Sequence, residues 1–478
     1  MTSVQPAADR RVSGGGLASG RLGTFDIVFF VIAAAAPLAV VAGSAPLAFR
    51  LGGLGTPGAY VLCGLVYILC AAGLTAFAQH VRNAGAFYAF IGRGLGRPAG
   101  VGSALLALLS YGLVCFGFYG FFGSYAKTAV HDLVGIDLHW SVYSLAGAAF
   151  VAVLGYRQID IGARVLGVLM TLEVLILAVL SITILIKNGS ANLSSQPFEP
   201  GNVFNSGAGG MFVLALGAFI GFESTAIYAE EARNPERSVP RATYAAVAFL
   251  ALFYGFTTWI AVDAFGVEKL LAMTQADDFQ SLYFGLADTY LGGWAKTTMD
   301  LLIVTSILAA TIAFHNATSR YMFALGRDRI LPARLGQAHP RFGSPSRASV
   351  VTTLGSVLLI VVTVGLHGDP YLHLLLWTNT VGIVGIVVLQ VLCMAAVIRF
   401  FARDRRGNTA FRVWVAPALG AAGLIVGLYL MLTNLDLLTG RTDWVNWALV
   451  APLPLVGLGG YVWARITRGR RPSEAGAD

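Results

Sequence analysis

Charged residues are scarce in this sequence. Aspartate, glutamate, lysine and arginine make up 12% of its 478 residues, whereas soluble globular chains carry about 25%. Hydrophobic residues make up 56% of the chain. This balance argues against a soluble globular protein and predicts an all-α membrane protein.

Motifs for metal, cofactor or nucleotide binding are missing from the sequence. The four cysteines lie in hydrophobic stretches without C-x-x-C spacing, and the seven histidines are scattered. Such cysteines are typical of packing rather than of a disulfide or a metal site. There is no H-E-x-x-H zinc motif and no G-x-x-x-x-G-K-[ST] phosphate loop. The sequence therefore predicts no metal, no cofactor and no ATP-driven pump, and it argues against an enzyme embedded in the membrane.

Long hydrophobic stretches recur along the whole chain. A helix needs roughly 20 apolar residues to cross the hydrocarbon core of a bilayer. We predict twelve transmembrane helices, called spans 1 to 12 in chain order, at 25–49, 56–78, 100–128, 141–156, 164–186, 207–229, 243–266, 290–318, 348–366, 372–398, 414–435 and 444–464.

The net charge of +8 follows the predicted topology. Most of the 32 basic residues fall in alternate connections and at the two ends of the chain. The positive-inside rule then places both termini in the cytoplasm. The excess of arginine over lysine and the abundant alanine and glycine indicate a GC-rich bacterial genome, so the expected location is the bacterial inner membrane. A nucleic acid partner would need a folded basic domain, which this sequence does not contain.

Spans 1 and 6 contain residues that interrupt helices. Pro37 lies near the middle of span 1, and Gly217 and Gly221 flank the middle of span 6, followed by Glu223. Matching interruptions five spans apart are typical of inverted-repeat transporters, in which the freed backbone groups hold a charged solute at mid-membrane. A second interpretation is open: Pro37 only kinks its helix, and the glycines only permit close packing.

Three blocks of the sequence lie after span 2, at the end of span 6 and at the end of span 8. They read NAGAFYAFIGRGLGRPAG (83–100), GFESTAIYAEEARNPERSVPRA (221–242) and NATSRYMFALGRDRILPARLGQAHPRFGSP (316–345). In sequence and in order these blocks resemble the amino acid–polyamine–organocation superfamily, and within it the bacterial amino acid permeases.

The resemblance implies a five-plus-five inverted repeat with two additional helices at the C-terminal end. The first repeat would cover about 25–186, the second about 207–398 and the extra helices about 414–464. Together they form one transmembrane domain, 21–465. The flanking segments, 1–20 and 466–478, are expected to be a disordered cytoplasmic N-terminus and a cytoplasmic tail.

The resemblance also implies that the substrate lies between the interrupted spans 1 and 6. By position, the substrate-binding residues would be Ala35, Ala36, Pro37, Leu38, Ala39, Phe219, Ile220, Gly221, Phe222 and Glu223. The superfamily usually has Gly-x-Gly in span 1, whereas this chain has Ala36-Pro37-Leu38-Ala39. The missing glycines and the missing proline N–H weaken the case for capture of a carboxylate there, so an amine substrate is an open alternative.

Three further side chains in the spans are candidates for the site. Glu173 in span 5 lies nine residues after Arg164, where several superfamily members carry a lysine, and it could take up and release a proton during transport. His315 in span 8 is a candidate second titrating or gating group. Tyr111 in span 3 could line the substrate pocket. For each of them a purely structural role, in hydrogen bonding or packing, stays open.

These observations predict a secondary active transporter that moves amino acids or related amines across the membrane by alternating access. Its partners would be the small-molecule substrate, a coupling H⁺ and the lipid bilayer; the oligomeric state is not predicted. Within transport, the alternatives are an amine or polyamine transporter and an exchanger of amino acids and amines. The alternative from another class is a membrane sensor that does not transport.

Overall fold

The chain is helical throughout the part that the structure describes. The computed structural model describes residues 23–80, 86–157, 163–189, 193–223, 225, 232–276 and 278–467. The predicted N-terminal segment 1–20 and all but the first two residues of the predicted tail lie outside these ranges, as do 83–85, 224 and 226–231 of the superfamily blocks.

Most of the helices are long and apolar, as expected for a chain that crosses a membrane. The α-helices of the described residues are, in chain order, α1 (Thr24–Ala35), α2 (Ala45–Gly52), α3 (Thr56–Ala78), α4 (Ala86–Leu95), α5 (Arg97–Val134), α6 (Trp140–Arg157), α7 (Ala163–Asn188), α8 (Pro200–Val203), α9 (Ala208–Gly217), α10 (Pro235–Phe265), α11 (Val267–Gln275), α12 (Leu282–Leu291), α13 (Gly293–Arg327), α14 (Ser346–Gly365), α15 (Thr378–Phe400), α16 (Ala416–Thr433), α17 (Leu435–Thr439), α18 (Val445–Val450) and α19 (Pro452–Ile466). Wider π-helical segments at Ala39–Ser44, Pro370–Trp377 and Phe411–Val415 lead directly into α2, α15 and α16.

Nine helices of the described residues are long and apolar enough to cross a membrane. Predicted spans 1, 4 and 6 do not appear among them as separate helices. Span 1 is divided between α1 and a segment that continues into span 2, and span 6 contributes the apolar helix α9 of only 10 residues. Span 4 corresponds to α6, which has 18 residues.

Several helices extend beyond the predicted bounds of their spans. Helix α5 has 38 residues, compared with the predicted 100–128, and α13 has 35, compared with 290–318. At 1.5 Å per residue α5 is about 57 Å long, well beyond a hydrocarbon core of about 30 Å. Hydropathy therefore marks the part of the helix that lies in lipid, whereas the backbone hydrogen bonds continue into the polar region.

The short helices of spans 1 and 6, which are α1, α2 and α9, pack against long helices or against each other. Helix α1 packs against α7, α10 and α13, while α2 packs against α9. The contact between α2 and α9 is close, since a Cβ on Gly52 would meet the Met211 side chain at 2.5 Å. The side chain of Asn205 donates to the carbonyl of Gly52 at 2.6 Å. The second half of span 1 and the first half of span 6 therefore lie side by side.

Candidate functional site

Span 1 is interrupted at Ala36. Helix α1 ends at Ala35, Ala36 has a φ of 48°, and helical geometry resumes at Pro37. A proline disfavours the α conformation in the residue before it, which explains why the break falls at Ala36. An alanine in the left-handed region costs about 1–2 kcal/mol, so the surrounding packing must hold this conformation in place.

The second half of span 1 is held by two tyrosines from other helices. Pro46 has no N–H to offer the carbonyl of Ala42, four residues earlier. The hydroxyl of Tyr125 donates to that carbonyl at 3.4 Å, and the hydroxyl of Tyr371 donates to the next one, of Gly43, at 2.7 Å. Side chains from α5 and from the segment before α15 therefore satisfy the carbonyls of the π-helical segment.

Span 6 loses its α-helical geometry after Gly217. Residues 218–223 form successive turns in which Phe219, Ile220 and Phe222 each donate to the carbonyl three residues earlier, at 3.1–3.2 Å. Gly221 has a φ of 109°, in a region that residues with a side chain rarely adopt. The glycine of the G-F-E block is therefore required by the backbone of the break.

A single tyrosine joins the two breaks. The hydroxyl of Tyr254, in α10, donates to the carbonyl of Ala35 at 3.4 Å. Its ring meets the ring of Phe219 edge-on, with centroids 6.0 Å apart. Tyr67 stacks on the same Phe219 ring, with centroids 5.3 Å apart. The unwound segments of spans 1 and 6 are therefore neighbours across a layer of aromatic side chains.

Glu173 connects the break in span 1 to span 8. Its Oε2 atom accepts a hydrogen bond from the Ser306 hydroxyl at 2.7 Å and lies 3.5 Å from the backbone nitrogen of Leu38. The side chain is 3% exposed. Leu38 is the first residue after the break with a backbone N–H, since Pro37 has none. The carboxylate therefore lies at the amino end of the second half of span 1, where a helix favours an anion.

Glu223 is the carboxylate that binds a backbone N–H at the break in span 6. Its Oε2 accepts from the backbone N–H of Gly221 at 3.0 Å, and its Oε1 accepts a short hydrogen bond from the hydroxyl of Tyr111. Glu223 is buried. The ring of Tyr111 packs between Phe314 and Tyr321 of α13, with centroids 6.2 and 5.4 Å away. Spans 3 and 6 thus meet at this carboxylate, and span 8 packs against the tyrosine that binds it.

His315 is buried in a different set of contacts. Its Nε2 lies 2.9 Å from the hydroxyl of Ser349, in α14, and its ring lies close to Gly155 of α6. Its Nδ1 has no hydrogen-bond partner among the described residues. The contacts of His315 therefore join α6, α13 and α14 and include none of the residues at the two breaks.

The structure brings most of the sequence-predicted site residues together and buries nearly all of them. Ten of the eleven substrate-binding candidates are buried, and Gly221 is half-buried. Sequence reasoning missed Ser306, which contacts Glu173, and Tyr254, which contacts the break in span 1. It also missed Tyr371, which contacts the second half of span 1 at Gly43. No local motif marks these three, because each contact joins residues more than 130 positions apart.

Comparison with known families then assigns the chain. A model of the amino acid permease family matches residues 22–476, nearly the whole sequence. The chain belongs to this family. That result confirms the resemblance to the amino acid–polyamine–organocation superfamily.

Characterised relatives of the permease are named as transporters. The chain is 25% identical to the branched-chain amino acid permease BcaP of Bacillus subtilis over 68% of this chain and 70% of the relative. It is 24% identical to the chloroplastic cationic amino acid transporter 7 of Arabidopsis thaliana over 64% of this chain and 54% of the relative. It is 23% identical to the low-affinity putrescine importer PlaP of Escherichia coli over 62% of this chain and 64% of the relative.

These comparisons confirm the prediction of a transporter rather than an enzyme. Together, the membrane-spanning helices and the bacterial permease relatives indicate a multi-pass protein of the inner membrane. The names of the relatives include neutral amino acids, cationic amino acids and a diamine, so they do not select one substrate class.

Proposed function

We propose that this permease is a secondary active transporter that moves amino acids or related amines across the bacterial cytoplasmic membrane by alternating access. The observation that carries the proposal is the pair of neighbouring breaks at Ala36 and Gly221, each facing a buried carboxylate. Broken helices offer unpaired backbone groups to a charged solute at mid-membrane, which is the arrangement of inverted-repeat transporters.

The proposed topology has twelve spans. It combines the nine long helices of the described residues with the interrupted spans 1 and 6 and with α6. The proposed repeats are 25–186 and 207–398, with 414–464 as the additional pair, and both termini lie in the cytoplasm. The concentration of arginine in alternate connections supports this orientation.

The proposed substrate site lies between residues 35–39 of span 1 and residues 219–223 of span 6, with Tyr111 on its third side. Supporting this position, the Tyr254 side chain contacts both breaks. Because these residues are almost entirely buried, the structure corresponds to a conformation closed to water. Alternating access then requires the halves of spans 1 and 6 to move apart on one side at a time.

Glu173 is the proposed proton-coupling residue. It contacts Ser306 of span 8 and lies beside the Leu38 amide of span 1, so gain or loss of its charge changes the contacts among spans 1, 5 and 8. His315 is proposed as a gating residue, because its contact with Ser349 joins spans 8 and 9. The coupling proposal depends on Glu173, which alone of the two contacts a break.

Uptake by purified protein in liposomes tests the proposal. We expect accumulation of a radiolabelled amino acid or amine inside the vesicles, and faster uptake when an inward proton gradient is imposed. Liposomes without protein are the control for leakage. A protein that binds these compounds, as shown by thermal stabilisation, but never moves them across the bilayer would instead be a sensor, and the proposed function would be wrong.

A further inference from the structure

One backbone donor at each break already faces a carboxylate of the protein itself. In span 1, Pro37 has no N–H and the N–H of Leu38 points toward Glu173 at 3.5 Å. In span 6, the N–H of Gly221 donates to Glu223 at 3.0 Å. A helix break attracts a substrate carboxylate through such N–H groups. A substrate carboxylate would therefore compete with Glu173 and Glu223 for these two donors.

The charges around the breaks also disfavour a second carboxylate. No lysine or arginine is buried among the residues that the structure describes. The third buried carboxylate, Asp300, has a nearby cation, with Lys296 Nζ 3.7 Å away, whereas neither Glu173 nor Glu223 forms an ion pair within the described ranges. An anionic group entering between them would find no cation there, and it would meet like charge in a medium of low dielectric constant whenever either carboxylate is ionised.

The surroundings of Glu223 suit an ammonium group. A carboxylate has about four acceptor positions, and Glu223 uses one on each oxygen, for Gly221 and for Tyr111. The remaining positions can accept N–H donors from a substrate. The ring of Tyr111, whose hydroxyl binds Glu223, packs against the rings of Phe314 and Tyr321, and aromatic faces attract cations.

We infer that the substrate of this site is an organic cation without a carboxylate group, a primary monoamine or diamine. The inference depends on the proposed function, because it assumes that the solute lies between the two breaks. It narrows the substrate from amino acids and amines together to amines alone.

Pairs of compounds that differ only by a carboxylate test the inference. The probes are putrescine against ornithine, cadaverine against lysine, agmatine against arginine and isoamylamine against leucine, applied to protein in liposomes. We expect at least one amine to be taken up with a half-saturating concentration at least tenfold below that of its amino acid. Equal or better uptake of the amino acids overturns the inference and leaves the proposed function intact. Uptake of neither member of any pair overturns the proposed function.

A charge-neutral variant tests the part played by Glu223. We expect Glu223→Gln to raise the half-saturating amine concentration at least tenfold. The difference in half-saturating concentration between each amine and its amino acid should also become smaller. Asp300→Asn is the matched control, because it also removes a buried carboxylate but leaves Lys296 bound to Asp132 at 2.7 Å. An unchanged preference in a Glu223→Gln protein that elutes as a single species overturns the inference. If that variant does not fold, the amine pairs on the unmodified protein still decide it.

Discussion

Neutralising Glu173 is the perturbation that bears most directly on the coupling mechanism. Glu173→Gln keeps the shape of the side chain and one acceptor oxygen, but it removes the negative charge beside Leu38 and Ser306. If proton uptake by this carboxylate drives transport, a variant that cannot change its charge must lose the effect of pH.

The two contacts of Glu173 set the size of the expected change in the conformational equilibrium of the transporter. A hydrogen bond to a charged group contributes about 1.5–3 kcal/mol, compared with about 0.5–1.5 kcal/mol for a neutral pair. Replacing the charge therefore weakens the 2.7 Å bond from Ser306 by about 1 kcal/mol, and the longer contact with Leu38 adds less than that. A total of about 1–2 kcal/mol corresponds to about a 5- to 30-fold change in an equilibrium constant. The equilibrium is between the conformation in which Glu173 joins spans 1, 5 and 8 and a conformation in which these contacts are broken.

The assay is initial uptake into liposomes at external pH values from 5 to 8, with and without a proton gradient. We expect uptake by the unmodified protein to vary with pH by up to about tenfold per unit, the limit for one proton, and uptake by Glu173→Gln to be flat and unaffected by the gradient. Asp300→Asn should keep the unmodified profile, since Asp300 contacts neither break. A Glu173→Gln protein with the original rate and the original pH profile would refute the assignment.

Two further substitutions test the turn at the break in span 6 and the hydrogen bond that Tyr371 donates to span 1. Gly221→Ala places a side chain at a φ of 109°, which costs about 1–3 kcal/mol, so we expect a melting temperature several degrees lower in detergent and slower uptake; an unchanged melting curve would contradict the strained turn. Tyr371→Phe leaves the carbonyl of Gly43 without its 2.7 Å donor, at a cost of about 1–3 kcal/mol. A cysteine introduced at Ser44 should then react faster with a membrane-impermeant maleimide, and an equal or slower rate would rule out a role for Tyr371 in holding span 1 closed.

Each of these variants has a matched control in the chain. Gly285→Ala adds the same methyl group in α12, where the methyl would meet no atom within 4 Å apart from its chain neighbours and the backbone of its own helix, and it should not lower the melting temperature. Tyr429→Phe removes a hydroxyl from a side chain that is 66% exposed, and it should leave the labelling rate unchanged. Background labelling should be low because the native cysteines are all buried, at positions Cys63, Cys70, Cys115 and Cys393.

Hydropathy predicted the helical class of the protein but not the bounds of its helices. The stretch at 100–128 predicted the part of α5 that suits lipid, whereas the helix continues from Arg97 to Val134. In span 1, hydropathy fails in a different way, because it does not detect a break within a hydrophobic stretch. Its residues are apolar apart from Asp26 and Ser44, so hydropathy predicts one span. Only the conformational effect of Pro37 on Ala36 indicates that the helix is divided.

The candidate site was predictable only where the backbone signals it locally. Pro37 and Gly221 marked the two breaks, because proline and glycine change the conformations that a chain can adopt. The partners of Glu173 and Glu223 depend on which helices pack together, a property that one sequence does not reveal. His315 illustrates the difficulty, since its depth in span 8 suggested a place in the site, whereas its contacts lie toward α6 and α14.

A structure of the protein with a transported compound bound, determined by cryo-electron microscopy in lipid, tests the central claim most directly. We predict density for the compound between residues 35–39 and 219–223, with its ammonium group within hydrogen-bond distance of Glu223 and with α1 and α2 still separated at Ala36. Density elsewhere, next to a span 1 or span 6 that is continuous and packed closed, would contradict the account.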